Sequence, residues 1–397
     1  MSHVFEVATL GHPRYPPCDP NHHYLCAVTV VTKPSYSGIT VHLDHNDLSQ
    51  IQRGNEMKRS FSKTLAAFAA GTLMTSVVLA QDVTGAGASF PAPVYAKWAE
   101  AYKAATGKSV NYQSIGSSGG IKQIKANTVD FGATDAPMDG AEVAKEGLVQ
   151  FPAVMGGVVA IYNLDGVASG TLKLDGAVLA DIFMGGITKW NDAKIAALNP
   201  GVKLPSRTIT VAHRADGSGT TSVFTEYLSI VSKPFADKVG TGKAVKWPAD
   251  ASVGGKGNAG VAANVQKIRG SIGYVEYAYA KANKLPVALL KNHDGQYVAP
   301  DADTFAAAAA GANWAKAPGM ALSLNNQPGA KSWPITTATF ILMHKQPKDA
   351  TKSKEALAFF DWAFKSGGKL ADELDYVAMP QAATDYIRKS VWTQIKN

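Results

Sequence analysis

Thr208-Ile-Thr-Val-Ala-His-Arg-Ala-Asp-Gly-Ser-Gly-Thr-Thr221 runs from one structural period into another, and that change decides the fold. Thr208–His213 alternates β-branched side chains and predicts a strand. The following Ser222-Val-Phe-Thr-Glu-Tyr-Leu-Ser-Ile-Val231 carries Val223, Phe224, Tyr227, Leu228 and Val231 at helical spacing. Ser218, Gly219 and Thr220 therefore fall at a helix N-terminus, where backbone N–H groups lack partners and the dipole favours negative charge. Gly217 and Gly219 allow close backbone approach, and Arg214 adds a fork-shaped cation. The stretch predicts a grip for an oxyanion.

Outward from it, strand-like and helix-like runs alternate, the pattern of doubly wound α/β sheets. Strands are expected at 109–114, 129–133, 157–162, 208–213, 271–276 and 336–343. Helices are expected at 93–105, 120–126, 177–184, 221–232, 260–268 and 354–365. Val94, Trp98 and Tyr102 share one helical face, as do Leu357, Phe360 and Phe364. The run Ala306–Ala310 predicts a surface helix. No internal repeat appears and no Pro/Ser-rich linker divides the chain, which fits two lobes joined by short crossing strands. The crossings are expected at 152–157 and 333–337. The lobes are then 82–155 plus 337–397, and 156–336.

Two further helix starts repeat the grip. Gly85-Ala-Gly-Ala-Ser-Phe-Pro91 places Ser89 and Phe90 at the mouth of the helix that carries Trp98. Gly116-Ser-Ser-Gly-Gly120 places Ser117 and Ser118 at an N-cap. Any one of these is ordinarily only a cap. Three such mouths with hydroxyl donors converge on an anion. Asp135, in Asp130-Phe-Gly-Ala-Thr-Asp-Ala-Pro137, qualifies what that anion is. A carboxylate repels a fully ionised ligand but accepts a hydrogen bond from one that keeps a proton. Such a site rejects an analogue lacking the proton by roughly 10⁴–10⁵. Phosphate keeps a proton near neutral pH and sulfate does not.

The N-terminal part of the chain reads as targeting. Met57-Lys-Arg-Ser-Phe-Ser-Lys63 is a basic segment, Thr64–Leu79 is apolar, and Val78-Leu-Ala80 has the small residues of a cleavage site. Residues 57–80 are thus expected to be a secretory signal peptide, with Gln81-Asp82 as the mature start. No Cys follows it, so a soluble periplasmic protein without a lipid anchor is expected. Residues 1–56 precede that signal awkwardly and are expected to be a non-native or mis-assigned leader, with translation starting at Met57. The leader holds both cysteines, Cys18 and Cys26, and six of the nine histidines. A metal reading of Cys18/Cys26 and His42/His45 is disfavoured.

Composition closes several doors. The 397 residues are 46% apolar, enough for real cores, and the formal charge is +8. No Lys/Arg run exceeds two residues and no basic–aromatic stripe recurs, so nucleic acid is not expected as a partner. His213 near Ser218 invites a serine hydrolase, yet no G-x-S-x-G elbow exists. Gly107-Lys-Ser109 imitates the end of a P-loop, but Tyr102 occupies the required first glycine. Gly254, Gly255, Gly257 and Gly260 are expected to shape a loop before a helix.

Taken together, Thr84–Pro93, Ile115–Gly120, Val129–Pro137, Arg214–Thr220, Gly273–Ala280, Trp333–Thr336 and Phe360–Ala363 carry a specific resemblance. Over essentially all of 82–395 the chain resembles the periplasmic phosphate-binding proteins of the high-affinity (Pst-type) phosphate ABC transporter. The resemblance implies an α/β, two-lobed periplasmic-binding-protein fold of class II type, two doubly wound domains joined by two crossing strands. It implies phosphate contacts from Ser89, Phe90 through its N–H, Ser117, Asp135, Arg214, Ser218, Gly219 and Thr220, with Asp216 pairing Arg214. Ser89 stands where Thr is common in the family; either hydroxyl donates. The implied protein is a monomer without cofactor or metal, not an enzyme, and hands phosphate to a membrane permease and its ATPase. The alternative on the same scaffold is an exported phosphatase-like or phosphate-sensing enzyme.

Overall fold

The computed structural model describes residues 82–396 and, before them, only the backbone of Val28–Thr29 and Thr40–Val41, which pair antiparallel. That pair belongs to a unit of its own, Met1–Val78, separate from Leu79–Asn397. The expected signal peptide and the leader's Cys18, Cys26, His42 and His45 lie outside the described residues.

In the second unit, β1 (Val83–Gly87), α1 (Ala92–Thr106), β2 (Val110–Ser114), α2 (Ser117–Lys125) and β3 (Phe131–Thr134) form two βαβ turns, with β1 parallel to both neighbours. After β4 (Leu148–Tyr162) the pattern recurs: β5 (Thr210–Arg214), α3 (Gly219–Val231), β6 (Ser252–Gly255), α4 (Gly257–Lys267) and β7 (Ser271–Glu276). Here β5 is the central parallel strand, between β7 and β6. The chain then returns through β8 (Thr336–His344) and α5 (Ala350–Ser366) to the short β9 (Val377–Ala378). The sheet order is β2-β1-β3-β8-β4-β7-β5-β6, with β9 also on β4. Two parallel wings therefore meet at an antiparallel centre, the expected two-lobed α/β architecture.

The centre is built by β4. All fifteen of its residues are buried, as in a strand covered on both faces. Its first part, 148–157, pairs with β8, and 158–162 pairs with β7, so one strand passes from wing to wing. The strand begins at Leu148, well before the expected Gly157. Pro152 within it has no N–H to donate, and Ala153 beside it is skipped where Thr339 and Phe340 of β8 pair with Val154 and Pro152, a bulge in β4 that accommodates the missing bond. The two expected crossings run side by side: Gly156 and Gly157 pair with Thr337 and Thr336, and Val158 N–H donates to Ile335 O at 2.8 Å.

Several expectations need correction. Helix α2 starts at Ser117, not Gly120; Gly116 is its N-cap at φ 87°, so Ser117 and Ser118 occupy the first turn rather than the cap. Helix α4 starts at Gly257, not Gly260, and Ser252–Gly255 is an edge strand where a loop was expected. The alanine run does fall in a helix, Ala302–Ala309, which exposes Asp303 and Ala306 and buries Phe305, Ala308 and Ala309 on its inner face. The core behind the first wing joins Val94, Tyr95, Trp98 and Tyr102 of α1 to Ala356, Phe359, Phe360 and Ala363 of α5. Leu357 and Phe364 are only partly buried, so the α5 face is rotated from the one expected. Trp98 also donates its indole N–H to Gly367 O at 2.9 Å, satisfying its polar edge.

Candidate functional site

Every residue singled out for the anion lies at or just past the carboxyl end of a parallel strand. Ser89 and Phe90 follow β1, Ser117 follows β2 and Asp135 follows β3; Arg214 ends β5, and Ser218, Gly219 and Thr220 open α3. Ligands of open α/β sheets bind at these ends, because loops there lead into helix N-termini. The sheet also curls. Ser117 Oγ accepts from Gly219 N–H at 3.0 Å, and Ser89 Oγ accepts from Asn258 N–H at 3.0 Å. Each contact joins strands six places apart in the sheet order, roughly 29 Å if the sheet were flat. The wings must fold toward one another, and Ser118 N–H donating to Gly217 O at 2.9 Å closes the same seam. Ser89, Phe90, Ser117, Asp135, Arg214, Ser218, Gly219 and Thr220 are all buried at this seam.

Arg214 is held as a fork. Its Nε donates to Asp216 Oδ1 at 2.8 Å and its Nη2 to Asp216 Oδ2 at 2.6 Å, and the guanidinium is 1% exposed. Nη1 points to Thr220 Oγ1 at 3.4 Å. Burial pushes the Asp216 carboxyl up, but the hydrogen bonds and charge of Arg214, helped by the Gly257 N–H, hold it below its ordinary value. Asp216 is therefore charged and offsets the cation. The chain approaches closely here: an added Cβ on Gly116 would stand 2.3 Å from Asp216 Oδ2.

Asp135 is the acceptor on the opposite wall. Oδ1 accepts from Thr339 Oγ1 at 3.0 Å, and its carbonyl accepts from Thr337 Oγ1 at 3.2 Å. Oδ2 is buried with no hydrogen-bond partner and faces the first turn of α3, where an added Cβ on Gly219 would lie 2.6 Å from it. Burial pushes the Asp135 carboxyl up to about 7, with Thr339, Arg214 and Ser117 pulling it partly back. A carboxylate with one bare oxygen in a dry site calls for a proton from somewhere.

Ser218 caps α3, accepting from Thr221 N–H at 3.0 Å, and its own N–H donates to Lys243 O at 2.8 Å. Phe90 is fixed at the mouth of α1: its carbonyl accepts from Tyr376 Oη at 2.6 Å, and its ring meets that of Tyr376 edge-on.

Several residues at the seam were not foreseen. Asn258, in the first turn of α4, is fully buried; its Nδ2 donates to Ser89 Oγ at 2.9 Å and to Thr220 Oγ1 at 3.4 Å. Tyr279 Oη donates to Ser89 O at 2.7 Å. Glu276 is fully buried, with Oε2 2.7 Å from Tyr376 Oη, and burial pushes its carboxyl up to about 8. The glycines from Gly254 to Gly260 were the available signal: they bring a fourth helix mouth against Ser89 and Asp216. The histidines stand apart. His213 Nδ1 is 3.0 Å from Arg214 O with its ring on Trp247, His344 reaches Ile124 O at 2.7 Å, and His293 is exposed beside Asp294. Among the described residues no cluster of three His, Cys, Asp or Glu side chains is placed to hold a metal, and no helix is long and apolar enough to cross a membrane.

A family model described as "PBP superfamily domain" matches residues 64–366. The phosphate-binding protein PstS of Pasteurella multocida is 55% identical over 318 residues, covering 80% of this chain and 92% of that one. Its counterpart in Haemophilus influenzae is 52% identical over 317 residues, covering 80% and 94%. Among solved structures, a phosphate-binding protein from Stenotrophomonas maltophilia is 22% identical with a TM-score of 0.58, covering 78% of this chain and 93% of that one. A high-affinity periplasmic phosphate-binding protein bound with phosphate is 21% identical with a TM-score of 0.62, covering 78% and 94%. At those identities the two structures establish likeness of fold.

Proposed function

The chain belongs to the PBP superfamily and, within it, to the PstS phosphate-binding proteins, and from that premise we propose that it captures inorganic phosphate at the seam between its wings for an ABC transporter. It is a solute-binding protein and not an enzyme. The observation that carries the ligand assignment is Asp135, whose Oδ2 is buried and unpartnered opposite a wall of donors. Phosphate offers that oxygen a P–OH proton, while its other oxygens accept from Ser89, Ser117, Ser218 and Thr220 hydroxyls, the Phe90 and Gly219 N–H groups and Arg214. Asp216 keeps Arg214 from recruiting any dianion by charge alone.

Residues 82–155 with 337–397 form one lobe in this reading, and 156–336 the other, hinged at the paired segments 152–157 and 333–337. On binding, the direct Ser117–Gly219 bond is exchanged for bonds from both groups to phosphate oxygens. The closed form then docks, as a monomer, on a membrane permease coupled to an ATPase, with delivery from the periplasm after removal of the signal peptide. The exported phosphatase-like or phosphate-sensing reading is not favoured, since the relatives that define the family carry the name of binding proteins. Isothermal titration with phosphate and sulfate tests the reading. Tight phosphate binding with little sulfate binding is expected, and equal affinities would overturn the role of Asp135.

A further inference from the structure

We propose that Asn258 is a positioning residue that makes the Ser89 hydroxyl an obligate donor toward the bound anion, an inference that rests on the phosphate reading. A serine hydroxyl has one proton and two lone pairs, and it ordinarily rotates to suit its surroundings. Ser89 has no such freedom. Its Oγ accepts from the Asn258 backbone N–H at 3.0 Å and from Asn258 Nδ2 at 2.9 Å. Both lone pairs are then occupied, and the only role left is to donate. Because Ser89 is 3% exposed and Asn258 fully buried, water is not at hand to compete.

The orientation of the amide is itself determined. Asn258 Oδ1 accepts from the Glu276 N–H at 2.9 Å, so a flipped amide would set N–H against N–H. Both Nδ2 protons are therefore directed at the site, one to Ser89 Oγ and the other toward Thr220 Oγ1 at 3.4 Å. An amide does this without charge, leaving the Arg214–Asp216 balance untouched. A carboxylate in the same place would accept the Ser89 proton and take the donor away from the ligand. Ser89 follows β1 and Asn258 follows β6, so this orientation is imposed only when the wings meet. Closure and the readiness of Ser89 to donate become one event.

The test is a double-mutant cycle on phosphate affinity with Ser89→Ala, Asn258→Ala and the double variant, alongside thermal melts without phosphate. Acting through Ser89, Asn258→Ala should weaken phosphate binding by about 10-fold in the wild type and by no more than about 3-fold once Ser89 is alanine. Equal losses in both backgrounds would mean a general packing role and would overturn the assignment. If Asn258→Ala does not fold, Asn258→Asp keeps the shape and the Oδ1 bond; its loss should also shrink when Ser89 is removed, and an unchanged loss overturns the proposal. A wild-type protein that does not bind phosphate would sink the phosphate reading and this inference together, whereas an additive cycle in a phosphate-binding protein sinks this inference alone.

Discussion

Asp216 holds Arg214 by both carboxylate oxygens, at 2.8 Å to Nε and 2.6 Å to Nη2, and leaves only the Nη1 side of the guanidinium turned to Thr220. The carboxylate thus aims the cation as well as offsetting it. Asp216→Asn keeps an oxygen for Nε but removes the negative charge. Sulfate affinity should then rise by roughly 3–10-fold while phosphate affinity changes less, because the charge no longer opposes dianions in general. Titration with both anions at two salt concentrations checks this. An unchanged sulfate affinity would show that Asp216 only orients Arg214.

Arg214→Ala removes a charged donor to the ligand and strands Asp216, which is half-buried. Phosphate affinity should fall by about 10–100-fold, the range of a hydrogen bond to a charged group. The ligand-free protein should also melt lower than wild type, since breaking a buried pair leaves an uncompensated charge. Arg214→Ala/Asp216→Ala should recover part of that melting temperature without recovering affinity. Recovery of both would mean that Arg214 does not touch phosphate.

Asp135→Asn exchanges an acceptor for a group that also donates. The amide can serve sulfate, which has no proton to give, and serves the phosphate P–OH less well. The phosphate-to-sulfate affinity ratio should shrink by at least about 100-fold out of the roughly 10⁴ that a polar mismatch supplies. Competition titrations give the ratio directly; a ratio equal to wild type would place the selectivity elsewhere.

Which parts of this were readable in advance follows from local chemistry. The strand-to-helix turns at Ser89, Ser117 and Ser218 are written by glycine and serine between two periodicities, so the mouths were visible. Asn258 was not, because the glycines from Gly254 to Gly260 signal a turn but leave the end of β6 and the first turn of α4 without a periodicity that would place it. Nothing apolar marks a helix there until Val261. Glu276 and Tyr376 are equally silent: they meet at 2.7 Å across one hundred residues, a contact set by topology and not by spacing. Strand β4 was underestimated for a different reason. Pro152 argues locally against a central strand, and only the bulge at Ala153 of β4 makes it tolerable.

The buried carboxyls give stability a definite pH sign in the absence of phosphate. Asp135 moves from 3.8 to about 7 and Glu276 from 4.5 to about 8. In those windows the folded form holds protons that the unfolded chain has released, so stability falls as pH rises, by about 1.4 kcal/mol per pH unit for each group. Below about pH 4 the effect is fully absent, and above about pH 8 it is complete. Melting temperature in phosphate-free buffer should drop from pH 5 to pH 8. Glu276→Gln should lower the slope across pH 5–8, most visibly between pH 7 and 8, where only the tail of the Asp135 titration then remains. A wild-type curve that is flat or rising across this range would show that neither carboxyl is protonated in the folded protein.

Gly219 offers the sharpest separation of closure from folding. It lies in the first turn of α3 without a left-handed φ, so alanine suits the helix itself and improves its propensity by about 1 kcal/mol. Yet the added Cβ would stand 2.5 Å from Ser117 Oγ, 2.6 Å from Asp135 Oδ2 and 2.7 Å from Asp135 N, all on the opposite wing. The serine can rotate away, but the Asp135 backbone cannot, so the wings are wedged apart. Gly219→Ala should fold with ordinary cooperativity and lose phosphate affinity by at least about 100-fold, because no wall then reaches the ligand from both sides. Gly217→Ala should act in the same direction, its Cβ standing 2.4 Å from Ser118 Cβ, which no rotation relieves; Gly311→Ala, whose Cβ would meet nothing within 4 Å, is the control and should cost far less. Titration, with small-angle scattering to read compaction on adding phosphate, distinguishes the two. Wild-type affinity and compaction in Gly219→Ala would mean that the wings do not need to meet at this seam to hold phosphate.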